Sequence, residues 1–135
     1  MGRYIVFLVI ILALLAIVVG YIRLVPSDPA AWHRMPDFTA DADLDTGVQR
    51  VVDTGPGGLA RLAEVALNTP RTTWLAGSEG EGMMTFVTRS RFWGFPDYTT
   101  ARQEQDRLYI YGRLRFGGSD MGVNKARVDG WIAAL

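Results

Sequence analysis

The sequence predicts an α+β protein: one N-terminal transmembrane helix followed by a small two-layer domain of antiparallel sheet packed with two helices. Three observations predict it. The nineteen residues from Tyr4 to Ile22 carry no charge. Two later segments repeat apolar residues at i, i+3, i+4 and i+7, the period of an amphipathic helix. Between them, residues 108–116 alternate apolar and polar side chains, the period of a half-buried strand. The spans follow as residues 1–23 for a membrane anchor, 24–48 for an extended connector and 49–135 for the α+β domain.

Each element has its own justification. At about 1.5 Å per residue, the uncharged run spans roughly the 30 Å hydrocarbon core of a bilayer. Tyr4 and Tyr21 flank it at headgroup level, and Arg3 and Arg23 bracket it on the water side. A cleavable leader would have a shorter apolar region followed by an Ala-x-Ala pattern. Here the run closes on Gly20-Tyr21-Ile22-Arg23-Leu24, which reads as an uncleaved anchor. A short, positively charged N-terminus stays inside. The expected placement is therefore the inner membrane, single-pass, with the N-terminus cytoplasmic and the following domain periplasmic.

The connector holds Pro26, Pro29 and Pro36 and the acids Asp41, Asp43 and Asp45. Proline removes donors and the acids keep the chain solvated, so extended structure over the membrane surface is expected. Trp32, with His33 and Arg34, forms a small amphipathic cluster expected at the membrane interface beside Tyr4, Tyr21 and Arg23, with packing on the domain as the alternative.

A helix follows, with Leu59, Leu62, Ala63, Ala66 and Leu67 on one stripe, Thr54 as its cap and Pro70 as its stop. Residues 72–76 read as a strand. The loop Gly77-Ser78-Glu79-Gly80-Glu81-Gly82 reads as a hairpin connection, because two glutamates repel phosphate and no Gly-Lys-Ser/Thr ending is present. Strands are expected over 83–92, 98–104 and 108–116. In the last, Leu108, Ile110, Leu114 and Phe116 face the core, and Gly112 on that face admits a close neighbour. Val128, Trp131, Ile132 and Leu135 give the terminal helix its apolar stripe.

Composition excludes several functions. Fourteen Lys+Arg balance fourteen Asp+Glu, so the basic excess of a nucleic-acid binder is missing. With no cysteine there is no disulfide scaffold, thiol nucleophile or thiolate metal site. The single histidine, His33, sits far in sequence from any serine with a placed base. Neither a cofactor, a metal site nor a catalytic constellation is expected.

The C-terminal half carries a recognisable pattern. Arg91-Phe92-Trp93-Gly94-Phe95-Pro96-Asp97, the 108–116 strand, and Gly118-Ser119-Asp120-Met121-Gly122-Val123-Asn124-Lys125-Ala126-Arg127 ahead of a helix resemble domain-of-unknown-function family 1499. The resemblance covers roughly residues 71–135. It implies a strand, a Ser-Asp-Leu-Gly-x-Asn-x-x-Arg-type loop and a short helix, and it brings no activity with it.

Three clusters are candidates for function. Tyr109, Tyr111, Arg113 and Arg115 form a row that suits a partner or ligand surface; the same row is also what an ordinary solvated sheet face looks like. Ser119, Asp120, Asn124 and Arg127 suit either an anion site at a helix N-terminus or helix-capping chemistry, with capping the better explanation of the residue types. Phe92, Trp93 and Phe95 are expected to close one end of the core, burying Trp93, with bilayer or partner contact as the alternative. The expected function is a non-enzymatic accessory or assembly subunit of a larger respiratory or photosynthetic membrane complex. Its partners would be the lipid bilayer and integral membrane subunits. The second reading is a membrane-anchored binding module for a lipid or other anionic small molecule, using Arg113, Arg115, Arg127 and the loop at Ser119.

Overall fold

A computed structural model describes all residues, Met1–Leu135. The chain opens with helix α1 (Gly2–Leu24), which buries none of its residues and is long and apolar enough to cross a membrane. A short helix α2 (Pro29–Trp32) follows, then strands β1 (Ala42–Leu44) and β2 (Gly47–Asp53). Next come helix α3 (Gly58–Leu67), strands β3 (Thr72–Ser78), β4 (Met83–Arg89), β5 (Pro96–Glu104) and β6 (Arg107–Leu114), and helix α4 (Val123–Ala133). The six strands form one sheet in the order β1-β2-β6-β5-β4-β3, and every neighbouring pair is antiparallel.

The α+β class is as the sequence predicts. Three elements inside residues 24–53, α2, β1 and β2, depart from it. β1 and β2 add a further hairpin to the sheet, with Val48 opposite Gly112 and Arg50 opposite Ile110. The connector is thus shorter than expected, because residues 42–48 belong to the sheet. Arg50 hides β2 from a periodicity reading, since it places a charge where the pattern calls for an apolar residue.

α3 and α4 cover one face. Val48, Leu59, Leu62, Ala63, Ala66, Phe86, Ala101, Leu108, Ile110, Val128 and Trp131 make one core, with the Trp131 ring edge-on to Phe86 at 6.2 Å. Gly112 lies under α4: a Cβ there would sit 3.1 Å from Val128 and 3.4 Å from Asn124. Its bareness lets the helix approach the sheet. The start of α3 is capped from the sheet rather than by Thr54. The Leu59 amide donates to Gln103 Oε1 at 3.0 Å, whereas the Thr54 hydroxyl turns to the Gly55 carbonyl.

Candidate functional site

The opposite face of the sheet is the unexpected part of the molecule. Residues 25–38 cross it as a strap. Pro26 and Pro29 restrict the backbone, and Asp28 caps α2 by accepting from the Ala30 amide at 3.0 Å. The strap thereby turns Trp32 down onto Tyr98, ring on ring at 4.1 Å and 11°. Of the two expectations for Trp32, the interface placement is corrected and packing on the domain is the one realised. Stacking on Tyr98 takes one face of the indole out of water.

Beneath the strap lies Arg113, only 7% exposed. Its Nη1 donates to Thr100 Oγ1 at 2.7 Å, and its Nη2 donates to the carbonyls of Trp32 and Arg34, the latter at 3.3 Å. The Tyr111 ring lies 4.8 Å below the guanidinium, with Trp32 and Tyr98 at 5.9 and 5.8 Å. No carboxylate reaches it, and burial pushes its pKa down to about 10. The hydroxyl chain continues through Thr100 and Thr85, 2.8 Å apart, to His33 Nδ1 at 2.8 Å. Glu81 stands 3.7 Å from the far ring nitrogen.

Arg115 also serves the strap. It donates to the Pro26 carbonyl at 2.9 Å and to the Tyr98 hydroxyl at 3.0 Å, while Ser27 meets that hydroxyl at 2.8 Å. Tyr109 is edge-on to Phe38 at 5.8 Å and lies under Arg102. The row Tyr109, Tyr111, Arg113, Arg115 is thus brought together, but as the seat of the strap and not as an open surface. Two shallow recesses stay open along it, one of about 410 Å³ beside Trp32, Arg34, Pro36 and Tyr111 and one of about 380 Å³ beside Phe38, Arg102 and Tyr109. The alternation in β6 gave the right face but not its cover, because the covering segment is too rich in proline and acid to read as packed.

The loop at Ser119 is a helix start. Asp120 accepts from the amides of Gly122 and Asn124 at 3.0 and 3.1 Å, and Ser119 Oγ accepts from Met121 at 3.2 Å. Asn124 is fully buried. Its Oδ1 accepts from Arg127 at 2.8 Å, and Arg127 pairs with Asp97 at 3.3 Å. Burial raises the Asp97 pKa against the pull of Arg127. Sequence reasoning missed Asp97 as the partner of Arg127. The only signal was its position at the start of β5, which the sheet register brings opposite Leu114. Several donors of this loop are used within the chain: two amides go to Asp120, and Arg127 Nη1 goes to Asp97 and Asn124, while the buried Asn124 Nδ2 has no partner.

The third cluster sits where α1 meets the domain. Arg89 grips the end of that helix, donating to the carbonyls of Ile22 at 3.0 Å, Val25 at 3.0 Å and Gly94 at 2.9 Å. Arg23 donates to the Phe92 carbonyl, and Tyr21 lies edge-on to Phe116 at 6.5 Å. Gly94 has φ +73°, and a Cβ there would meet Arg23 Cγ at 2.8 Å, so glycine allows the helix end to seat. The expectation that Trp93 closes the core is corrected. Trp93 is 52% and Phe92 73% exposed, because the 90–95 turn projects beyond the sheet toward α1. Phe95 turns inward instead, onto Phe116 at 6.2 Å. Tyr4 lies free on the far end of α1.

No group of three or more His, Asp or Glu side chains is placed to hold a metal. No curated protein and no solved structure matches the chain. A family described as "Protein of unknown function (DUF1499)" matches residues 22–135, which takes in the strap, the whole sheet and the Ser119–Arg127 loop. That span is most of the chain, and the chain belongs to the DUF1499 family.

Proposed function

We propose that this is a single-pass membrane protein whose α1 stays attached and whose domain, on the periplasmic side, serves as a non-enzymatic accessory or assembly subunit of a larger membrane complex. The observation that carries this reading is the Arg89 clamp on the carbonyls of Ile22 and Val25. A leader destined for removal has no need of hydrogen bonds to the domain it precedes. A subunit does, because a rigid mount fixes the domain's height and orientation against its neighbours. The apolar circumference of α1, none of it buried within the chain, is left for lipid and for partner helices. The side chains most often used in catalysis are engaged structurally: His33 closes the hydroxyl chain to Arg113, and Ser119 and Asp120 hold a loop.

The test is affinity purification of the tagged chain from its native membranes in mild detergent, read by quantitative mass spectrometry. A stoichiometric set of integral membrane proteins supports the subunit reading, and recovery of the chain alone overturns it. Retention of the full-length chain in the pellet after alkaline carbonate extraction tests the anchor separately. The second reading, a binding module for an anionic ligand, draws on a different set of arginines from those the sequence singled out.

A further inference from the structure

Four arginines, Arg23, Arg71, Arg89 and Arg91, line one recess with Thr73, Ser90 and Gly94, about 420 Å³ in volume and without a single acidic side chain in its wall. None of the four pairs with a carboxylate anywhere in the molecule; the ion pairs all involve other cations. Two of them are committed to the mount, Arg89 to α1 carbonyls and Arg23 to the Phe92 carbonyl. The other two keep donors free. Arg71 uses only Nε, on the Arg89 carbonyl at 3.0 Å. Arg91 touches nothing but the Phe92 ring, at 5.7 Å. Arg71 also holds φ +60°, a conformation costly for a residue with a side chain.

Location supplies the second half of the argument. The recess lies at the C-terminal end of α1, where an apolar helix meets the domain; Phe92, in contact with Arg23 and Arg91, stands beside it, and Trp93, next in the chain, is exposed as Phe92 is. Guanidinium groups match phosphate oxygens bidentately, and aromatic rings beside them suit the boundary between headgroups and acyl chains. We propose that this recess binds the phosphate of an anionic phospholipid headgroup through Arg71 and Arg91, with Phe92 and Trp93 inserted at the acyl-chain boundary beside it. The proposal rests on the reading that α1 spans the membrane. It deepens the binding-module reading by moving the ligand from the strap face to the membrane face of the domain.

The experiment uses the full chain in lipid nanodiscs that mix phosphatidylglycerol and phosphatidylcholine, with bromine on the acyl chains of one lipid or the other. Tryptophan quenching is read, and the component lost in W93F is assigned to Trp93. Brominated phosphatidylglycerol is expected to quench Trp93 more strongly than brominated phosphatidylcholine at equal mole fraction. The R71Q/R91Q double variant, which leaves the Arg89 clamp intact, is expected to lower that preference on the order of tenfold with unchanged circular dichroism. If the double variant fails to fold, R91Q alone carries the test, since Arg91 makes no hydrogen bond in the chain. Equal quenching by the two lipids overturns the headgroup site. Loss of the preference on adding inorganic phosphate, but not chloride at matched ionic strength, reassigns the recess to free phosphate and overturns it as well. Release of the chain by alkaline carbonate would instead strike the anchor reading, so the two failures are told apart.

Discussion

The two faces of the sheet each bury one arginine, and the two are held in opposite ways. On the helix-covered face, Arg50 is paired with Asp129 at 2.7 Å and Asp43 at 2.8 Å, and those carboxylates hold its pKa above the ordinary value. On the strap-covered face, Arg113 has hydroxyl, carbonyl and ring partners but no acid, and burial draws its pKa down to about 10. That depression corresponds to a cost of roughly 3 kcal/mol for keeping the cation in place. The difference teaches what each face is for. The helix face is an apolar core with one well-neutralised charge, so it holds by area. The strap face holds by directed bonds from one cation to one segment, and that segment leads directly to α1. The first decides whether the domain folds; the second decides where the domain stands relative to α1.

The largest expected effect tests the helix face. Phe86 is fully buried between the sheet and Trp131, and Phe86→Ala is expected to cost about 3–5 kcal/mol of stability. Denaturant titration of the full chain in detergent, followed by circular dichroism, measures it. Arg113→Ala comes next and should behave differently in kind. It removes the bonds to Thr100, Trp32 and Arg34 but also relieves the burial cost, so the global loss is about 1–2 kcal/mol. Its main effect is local: amide exchange in residues 30–35 rises while that of Leu108 and Ile110 is unchanged. Equal loss of protection on both faces would break the distinction.

Much of this division was legible in the sequence, and the missing part has a physical reason. The α3 stripe through Leu59 and Leu62, the β6 alternation and the α4 stripe through Val128 and Trp131 all announce apolar burial, which leaves a periodic trace. The strap leaves none. Trp32, Ser27 and His33 are half-buried and held by contacts to Tyr98, Thr85 and Arg113, all distant in the chain, and their neighbours are proline and acid. β2 was lost for a related reason, since Arg50 breaks its pattern and is made tolerable by Asp43 and by Asp129, the latter 79 residues later. Of the candidate site, the residue types were visible: Tyr and Arg on one face of β6, Ser, Asp, Asn and Arg at offsets around α4. What the sequence did not carry was occupancy. It did not show that the strap, Asp97 and Asp120 already engage most of those donors, while Arg71 and Arg91, in turns with no periodic signal, keep donors free.

A smaller effect sharpens the account of the strap. Tyr98→Phe keeps the ring under Trp32 and removes only the hydroxyl shared by Ser27 and Arg115. The expected loss is about 1 kcal/mol, with exchange rising near residues 26–28 and not at residues 32–34. If residues 26–28 and 32–34 loosen together, the strap is one cooperative unit and not two separately pinned points.

The smallest effect concerns pH and sets two aspartates beside α4 against each other. The Arg50 guanidinium, helped by Lys125, holds the Asp129 carboxyl below its usual range. A carboxyl whose folded pKa is depressed adds stability above its unfolded pKa, and that stability is lost as pH falls through the folded value. Asp97 runs the other way. Burial raises its pKa, so its contribution favours the fold below the unfolded pKa and fades as pH rises through the folded one. Asp129→Asn should therefore flatten the loss of stability on acidification, at a neutral-pH cost under about 1 kcal/mol because the pair is partly solvated and screened. Asp97→Asn should steepen the same loss, because it removes the one term that opposes it. Thermal midpoints of the two variants across the carboxylate range measure both slopes. Slopes of the same sign would mean that Arg127 outweighs burial at Asp97, and that α4 is secured to the sheet by two ordinary ion pairs.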